Sequence, residues 1–143
     1  MKELVVPAKP EHFDEVLAFV DGELTRIGCE ACAQCEILVA VEEIFVNIFS
    51  YAYPPKEGDA TIRMEIAGNP AVVRIDLIDQ GKPYDPLQRE DPDITLSAEE
   101  RKIGGLGIYM VKQSMDNVTY RYENGSNILT LYKTVGKVEQ HEA

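Results

Sequence analysis

The stretch VAVEEIFVNIFSYAY, from Val39 to Tyr53, constrains this chain more than any other. At about 100° per residue, Ile37, Val41, Ile44, Phe45, Ile48 and Ala52 share one broad apolar face. The segment therefore reads as the second half of a long helix that starts near Glu30 and lays one side on a core. Glu36, Glu43, Asn47 and Ser50 form a narrow polar stripe beside that face, while Glu42 points elsewhere. Glu43 and Asn47 stand at i and i+4, which makes their side chains neighbours, roughly 5–6 Å apart at Cβ. Such a stripe is ordinarily the solvated edge of an amphipathic helix. It becomes a site only if other parts of the chain complete it.

The 143 residues suffice for one domain with a real core, expected over 1–135 with a frayed polar tail at 136–143. The net charge of −11 argues against nucleic acid as a partner, because phosphate contacts need clustered Lys and Arg. No apolar run approaches the ~18–20 residues of a membrane span, and MKELVVPAKPEHF lacks a signal-peptide core. The cytoplasm is the expected location. Cys29, Cys32 and Cys35 have C-x2-C-x2-C spacing, but a closed zinc or iron–sulfur site usually takes four protein ligands. His12 and His141 are far away in sequence, so reduced thiols along the helix start are the simpler reading.

In chain order, Lys2 to Val6 reads as a short strand stopped by Pro7. Pro10 opens a helix whose apolar residues Phe13, Val16, Leu17, Val20, Leu24 and Ile27 recur every three or four positions, and Gly28 closes it. The long helix follows and is ended by Pro54-Pro55. Ile62, Met64 and Ile66, then Val73, Ile75 and Leu77, alternate with polar residues around a Gly68-Asn69-Pro70 turn, which is a half-buried hairpin. The polar stretch from Pro83 to Ile103 reads as a lid. A third helix runs from about Gly105 to Met115, and a second hairpin turns at Asn124-Gly125. The order βααββ–lid–αββ predicts an α+β two-layer sandwich: a mixed, mostly antiparallel sheet covered on one face by three helices.

Two further features carry chemistry. Asp79 continues the parity of Val73, Ile75 and Leu77, so its carboxylate points toward the helices, where burial is costly without partners. Gly81 follows and leaves room for a flat group beside the backbone. This is either a strand-end turn or an acceptor for the exocyclic amine of a purine. Further on, Gly104-Gly105-Leu106-Gly107 opens a helix, where backbone N–H groups and the helix dipole favour an anion. It lacks the Lys-Ser/Thr of a Walker A loop.

In this order, EEIFVN, DQGKPYDP, a lid, GGLGIYMVKQSMD and N-x-L-T-L resemble the GHKL ATPase superfamily, and within it the small stand-alone anti-sigma factor serine kinases. The likeness spans about Lys2 to Lys133. EEIFVN resembles the N box, and the two glycine-bearing segments resemble the first and second glycine boxes. The resemblance implies ATP and Mg²⁺ as cofactors. Asn47 is then the metal ligand and Glu43 the general base, with Asp79 receiving adenine, supported by Gly81 and Thr130. Tyr84, Lys102, Gly104, Gly105, Leu106 and Gly107 complete the nucleotide contacts. The chain departs where the N box often ends in His-Gly or His-Ala, having Tyr51-Ala52, and Lys102 stands where Arg is common.

The resemblance further implies a protein serine kinase that phosphorylates an anti-anti-sigma protein of the STAS type in a partner-switching pathway. A sigma factor is the further partner, and the assembly is a homodimer packed through the sheet near the first strand. Two other classes fit parts of the chain: a nucleotide-gated module that sequesters a partner without phosphotransfer, and a metal-binding domain built on the cysteines. Glu43 favours the kinase, since a pure binder has no need of a carboxylate beside the metal ligand.

Overall fold

The computed structural model describes residues 1–88 and 106–136, with only the backbone of Leu106. Five strands, β1 (Lys2–Pro7), β2 (Asp59–Ala67), β3 (Ala71–Asp79), β4 (Asn117–Glu123) and β5 (Ser126–Gly136), form one sheet in the order β1-β2-β3-β5-β4. Every pairing among the described residues is antiparallel, so the sheet expected to be mixed and mostly antiparallel is antiparallel throughout them. Helices α1 (Phe13–Arg26), α2 (Ala31–Asn47) and α3 (Leu106–Ser114) accompany it. The α+β architecture is the one expected. The greater part of the Pro83–Ile103 lid and the tail beyond Gly136 lie outside the described residues.

Local chemistry sets the helix ends. At the end of α1, Gly28 takes φ +71°, Cys29 N donates to Leu24 O (3.0 Å) and Gly28 N to Thr25 O (3.0 Å). This is the paired closure that glycine permits after a last helical turn. Glu30 then caps α2, its carboxylate accepting from Cys32 N at 2.8 Å and Ala33 N at 3.0 Å. All six residues assigned to the apolar face of the long helix are buried, and Phe45 packs its ring on Phe13 and Phe49. Truncating Phe45 to Ala would cost about 3–5 kcal/mol.

One difference matters for the site. The long helix is α only to Asn47; Ile48–Ala52 forms a π turn. Its i→i+5 geometry holds more residues per turn, so the phase of a regular wheel is lost after Asn47. Ser50 accordingly leaves the polar stripe and is exposed, whereas Glu43 and Asn47 stay half-buried at its edge and Glu42 faces solvent.

The two sheet faces follow parity. Val73, Ile75, Leu77, Leu129 and Leu131 are buried under the helices, with Ile108 and Val111 of α3 in the same core. The opposite face carries Arg63, paired with Glu3 at 2.6 Å, and exposed Val5. Asp76 also lies on that face, but it is buried rather than part of an open polar surface.

Candidate nucleotide site

A pocket enclosing about 350 Å³, counting its open mouth, lies between the end of α2 and the β3–β5 end of the sheet. Ile44, Asn47, Ile48 and Ala52 form one wall and Leu77, Asp79, Asn127 and Leu129 the floor, with Tyr84, Pro86 and Tyr120 at the side. It is mainly apolar, with a few polar groups, which suits a flat heteroaromatic ligand.

Asp79 is 5% exposed, and among the described residues its carboxyl meets no cation. Its Oδ1 accepts from Gly81 N (2.9 Å) and Asn127 Nδ2 (2.8 Å). Burial raises its pKa above the ordinary carboxylate value, and the Asn127 and Gly81 hydrogen bonds oppose that rise. Among the described residues no donor engages Oδ2, which leaves an acceptor for a ligand. Asp79 thus lies on the pocket side of β3, as strand parity requires.

Gly81 is used differently from the sequence reading. A side chain there would strike the Ala52 backbone, and the neighbouring Lys82 N donates to Ala52 O at 3.0 Å. The space reserved for a flat ligand is filled by the chain itself, and the part of Gly81 in the site is its N–H to Asp79. Tyr53 strengthens this seam: its hydroxyl donates to Asp59 O (2.5 Å) and accepts from Gln80 N (2.7 Å).

Thr130 does not reach the site. It pairs with Asp76, not Asp79, across β3 and β5, and its hydroxyl donates to Asp76 Oδ1 at 2.7 Å on the opposite face. The residue opposite Asp79 is Asn127, which the sequence reading missed. The available signal was alternation: Leu129 and Leu131 face the helices, so Asn127 shares their side and Thr130 cannot. Tyr84 lines the pocket, its ring 6.0 Å from that of Tyr51.

In the pocket wall formed by α2, Asn47 Nδ2 is buried and has no hydrogen-bond partner among the described residues. One turn earlier, the Glu43 carboxylate occupies the place where a side chain on Gly107 would be. A side chain on Gly107 would have to push that carboxylate aside, and it sits at the first turn of α3, where a helix dipole favours negative charge. The structure therefore sets Glu43 against Gly107, one helical turn from Asn47, which shares the pocket lining with Asp79. Lys102, Gly104 and Gly105 lie outside the described residues, as does the Leu106 side chain.

The profile of the family described as "Histidine kinase-like ATPase domain" matches residues 6–133. The chain belongs to that family. Among histidine kinase-like relatives, the serine-protein kinase RsbW of Listeria monocytogenes is 30% identical, over 96% of this chain and 90% of its own. RsbW of Bacillus pumilus is 26% identical over 88% of this chain and 81% of its own. The serine/threonine-protein kinase BtrW of Bordetella bronchiseptica is 28% identical over 66% of each. The crystal structure of the RsbU and RsbW domains of Rv1364c from Mycobacterium tuberculosis superposes with a TM-score of 0.64 at 18% identity. That match covers all of this chain but 35% of the longer one and shows the shared fold.

The cysteines take no part in the pocket. Cys29 is half-buried with its thiol toward Glu30 O (3.6 Å), and Cys32 and Cys35 are exposed free thiols. Among the described residues no group of three or more His, Cys, Asp or Glu side chains is placed to hold a metal ion. No helix among them is long and apolar enough to cross a membrane.

Proposed function

We propose that the chain is an ATP-dependent protein serine kinase acting as an anti-sigma factor, whose substrate is an anti-anti-sigma protein of the STAS type. The observation that carries this reading is the Glu43 carboxylate seated against Gly107, one helical turn from Asn47, which lines a pocket together with Asp79. A nucleotide-gated binder has no use for that carboxylate.

The residues divide the work by position. Asp79 accepts the adenine amine and rejects a 6-oxo base, whose own acceptor would oppose it. Asn47 would hold Mg²⁺ through its carboxamide oxygen, and among the described residues its buried amide nitrogen has no partner. ATP with Mg²⁺ supplies the phosphoryl group and neutralises its charge. The remaining steps belong to positioning. Glu43 takes the proton of the incoming serine hydroxyl as its oxygen bonds to phosphorus and the bond to ADP breaks, help worth about 10²–10⁴-fold. Gly107, with Gly104, Gly105 and Lys102, is assigned to the phosphates.

We further propose a sigma factor as second partner, a cytoplasmic location, and a homodimer packed through the sheet near β1. Incubation with labelled ATP and STAS-domain proteins from the same source tests the kinase: a labelled serine is expected, and ATP binding without transfer would leave a binder instead. Light scattering tests the dimer, which a monomer-sized species with and without ATP would overturn.

A further inference from the structure

Asn127 is the most completely satisfied polar side chain of the site, and the proposed mechanism gives it no task. It is 5% exposed and stands directly opposite Asp79 in the β3–β5 register. Its Nδ2 donates to Asp79 Oδ1 at 2.8 Å and to Lys82 O at 2.9 Å. Its Oδ1 accepts from Tyr84 N at 3.1 Å and from the Tyr120 hydroxyl. A carboxamide offers two donor hydrogens and two acceptor sites, and here all four are engaged. The orientation is thereby fixed, because a flipped amide would aim oxygen at both the Asp79 carboxylate and the Lys82 carbonyl.

This one amide ties together three things that define the base end of the pocket. It holds Asp79 on β3, it closes the loop from Gly81 to Tyr84, and it takes the hydroxyl of Tyr120 on β4. With Gly81 N on the same oxygen, Asp79 Oδ1 holds two hydrogen bonds, and among the described residues Oδ2 has no donor and remains to accept one. A carboxylate in this setting accepts an amine. If protonated, it would instead donate to a carbonyl and welcome a 6-oxo purine.

We infer that Asn127 is the positioning residue that sets base discrimination, by holding Asp79 as an oriented, ionised acceptor so that a 6-amino purine triphosphate is bound and a 6-oxo one refused. The inference rests on the nucleotide reading of the pocket and deepens it. Tyr120 acts one step further out: its hydroxyl on Oδ1 helps keep the amide from flipping.

The test is the ratio of Mg-ATP to Mg-ITP affinity, measured by calorimetry on the full chain between pH 5.5 and 8. The parent should prefer ATP with little change in the ratio over the upper part of that range. Asn127→Ala removes a hydrogen bond to a charged group, which is typically worth about 10–100-fold, and should lose ATP affinity by that factor. Its ATP/ITP ratio should fall as the pH is lowered, because Asp79 then takes up a proton more readily and can donate to the oxo group. A purely structural role would weaken both nucleotides alike at every pH, and that result would overturn the inference.

Should Asn127→Ala not fold, Tyr120→Phe carries the test, since it removes only the hydroxyl. It should reduce the ATP/ITP ratio about threefold to tenfold, in line with a neutral hydrogen bond, and an unchanged ratio would count against the inference. A parent that bound ATP and ITP equally, or neither, would instead overturn the nucleotide reading itself.

Discussion

β3 buries two carboxylates three residues apart, and they face opposite sides of the sheet. Asp76 is 7% exposed on the open face, where Arg74 approaches at 3.3 Å and the Thr130 hydroxyl donates at 2.7 Å. Asp79 is 5% exposed on the helix face, where its partners are neutral, the Asn127 amide and the Gly81 N–H. Burial is nearly equal, so burial does not mark a site. Asp76 is balanced by charge and needs nothing more. Among the described residues Asp79 is held without being neutralised, and one of its oxygens has no donor. The lesson is to count partners and their charge before counting exposure.

The largest expected effect comes from exchanging the two aspartates in turn. In Asp79→Asn the amide oxygen must face Gly81 N and Asn127, so its NH₂ meets the adenine amine. Mg-ATP affinity should fall on the order of 10²–10⁴-fold, while Asp76→Asn should stay within about threefold, because its side chain faces away from the pocket. Calorimetry on both variants breaks the contrast if they lose equally.

The same contrast recurs on α2. Glu43→Gln should lower serine transfer by about 10²-fold or more while Mg-ATP still binds; exposed Glu42→Gln should keep most activity. Single-turnover transfer with labelled ATP separates the two, and the reverse ranking would put the helix phase in error. Gly107→Ala should push the Glu43 carboxylate aside and lower the transfer rate about tenfold, since displacements near 1 Å are costly to positioned groups. Transfer at saturating ATP measures it, and no change would mean the carboxylate need not sit there.

The smallest effect is on stability and has a distinctive sign. Burial raises the folded-state pKa of Asp79, so the native state keeps its proton to higher pH than the unfolded chain does. Stability from this group is therefore lost as pH rises from the ordinary carboxylate value through the raised one. Without nucleotide, Asp79→Asn should unfold at a higher temperature than the parent at neutral pH, with the gap closing in acid. Asp76→Ala should instead cost about 1–3 kcal/mol, because it leaves the buried Thr130 hydroxyl unpaired. Thermal unfolding across pH would sink the comparison if both variants were destabilised alike at neutral pH.

Much of this was legible because it rests on short periods. The wheel put Glu43 and Asn47 together and Glu42 outside, and strand parity turned Asp79 inward. The same parity was not applied to β5, where the motif N-x-L-T-L drew attention to Thr130 instead of Asn127. What periodicity cannot supply is long-range pairing: that β5 rather than β4 lies beside β3, and that Asp79 meets a residue 48 positions later, depends on register set by the whole sheet. The π turn was hidden too, since nothing in IFSYA marks a change of helical pitch. Gly81 misled because a bare Cα serves a ligand and a neighbouring backbone equally well.

The two hairpin turns differ in how much alteration they will tolerate. The β2–β3 turn, with Gly68 at φ +92°, lies at the end of the sheet away from Asp79, and residues 67–70 are exposed. Added residues there would extend into solvent without touching a wall of the pocket. The β4–β5 turn, Asn124-Gly125, comes two residues before Asn127, beside the base end of the pocket. An epitope, a fluorophore or a fused domain therefore belongs at the first turn, and drift in loop length among related chains should gather there and spare the second.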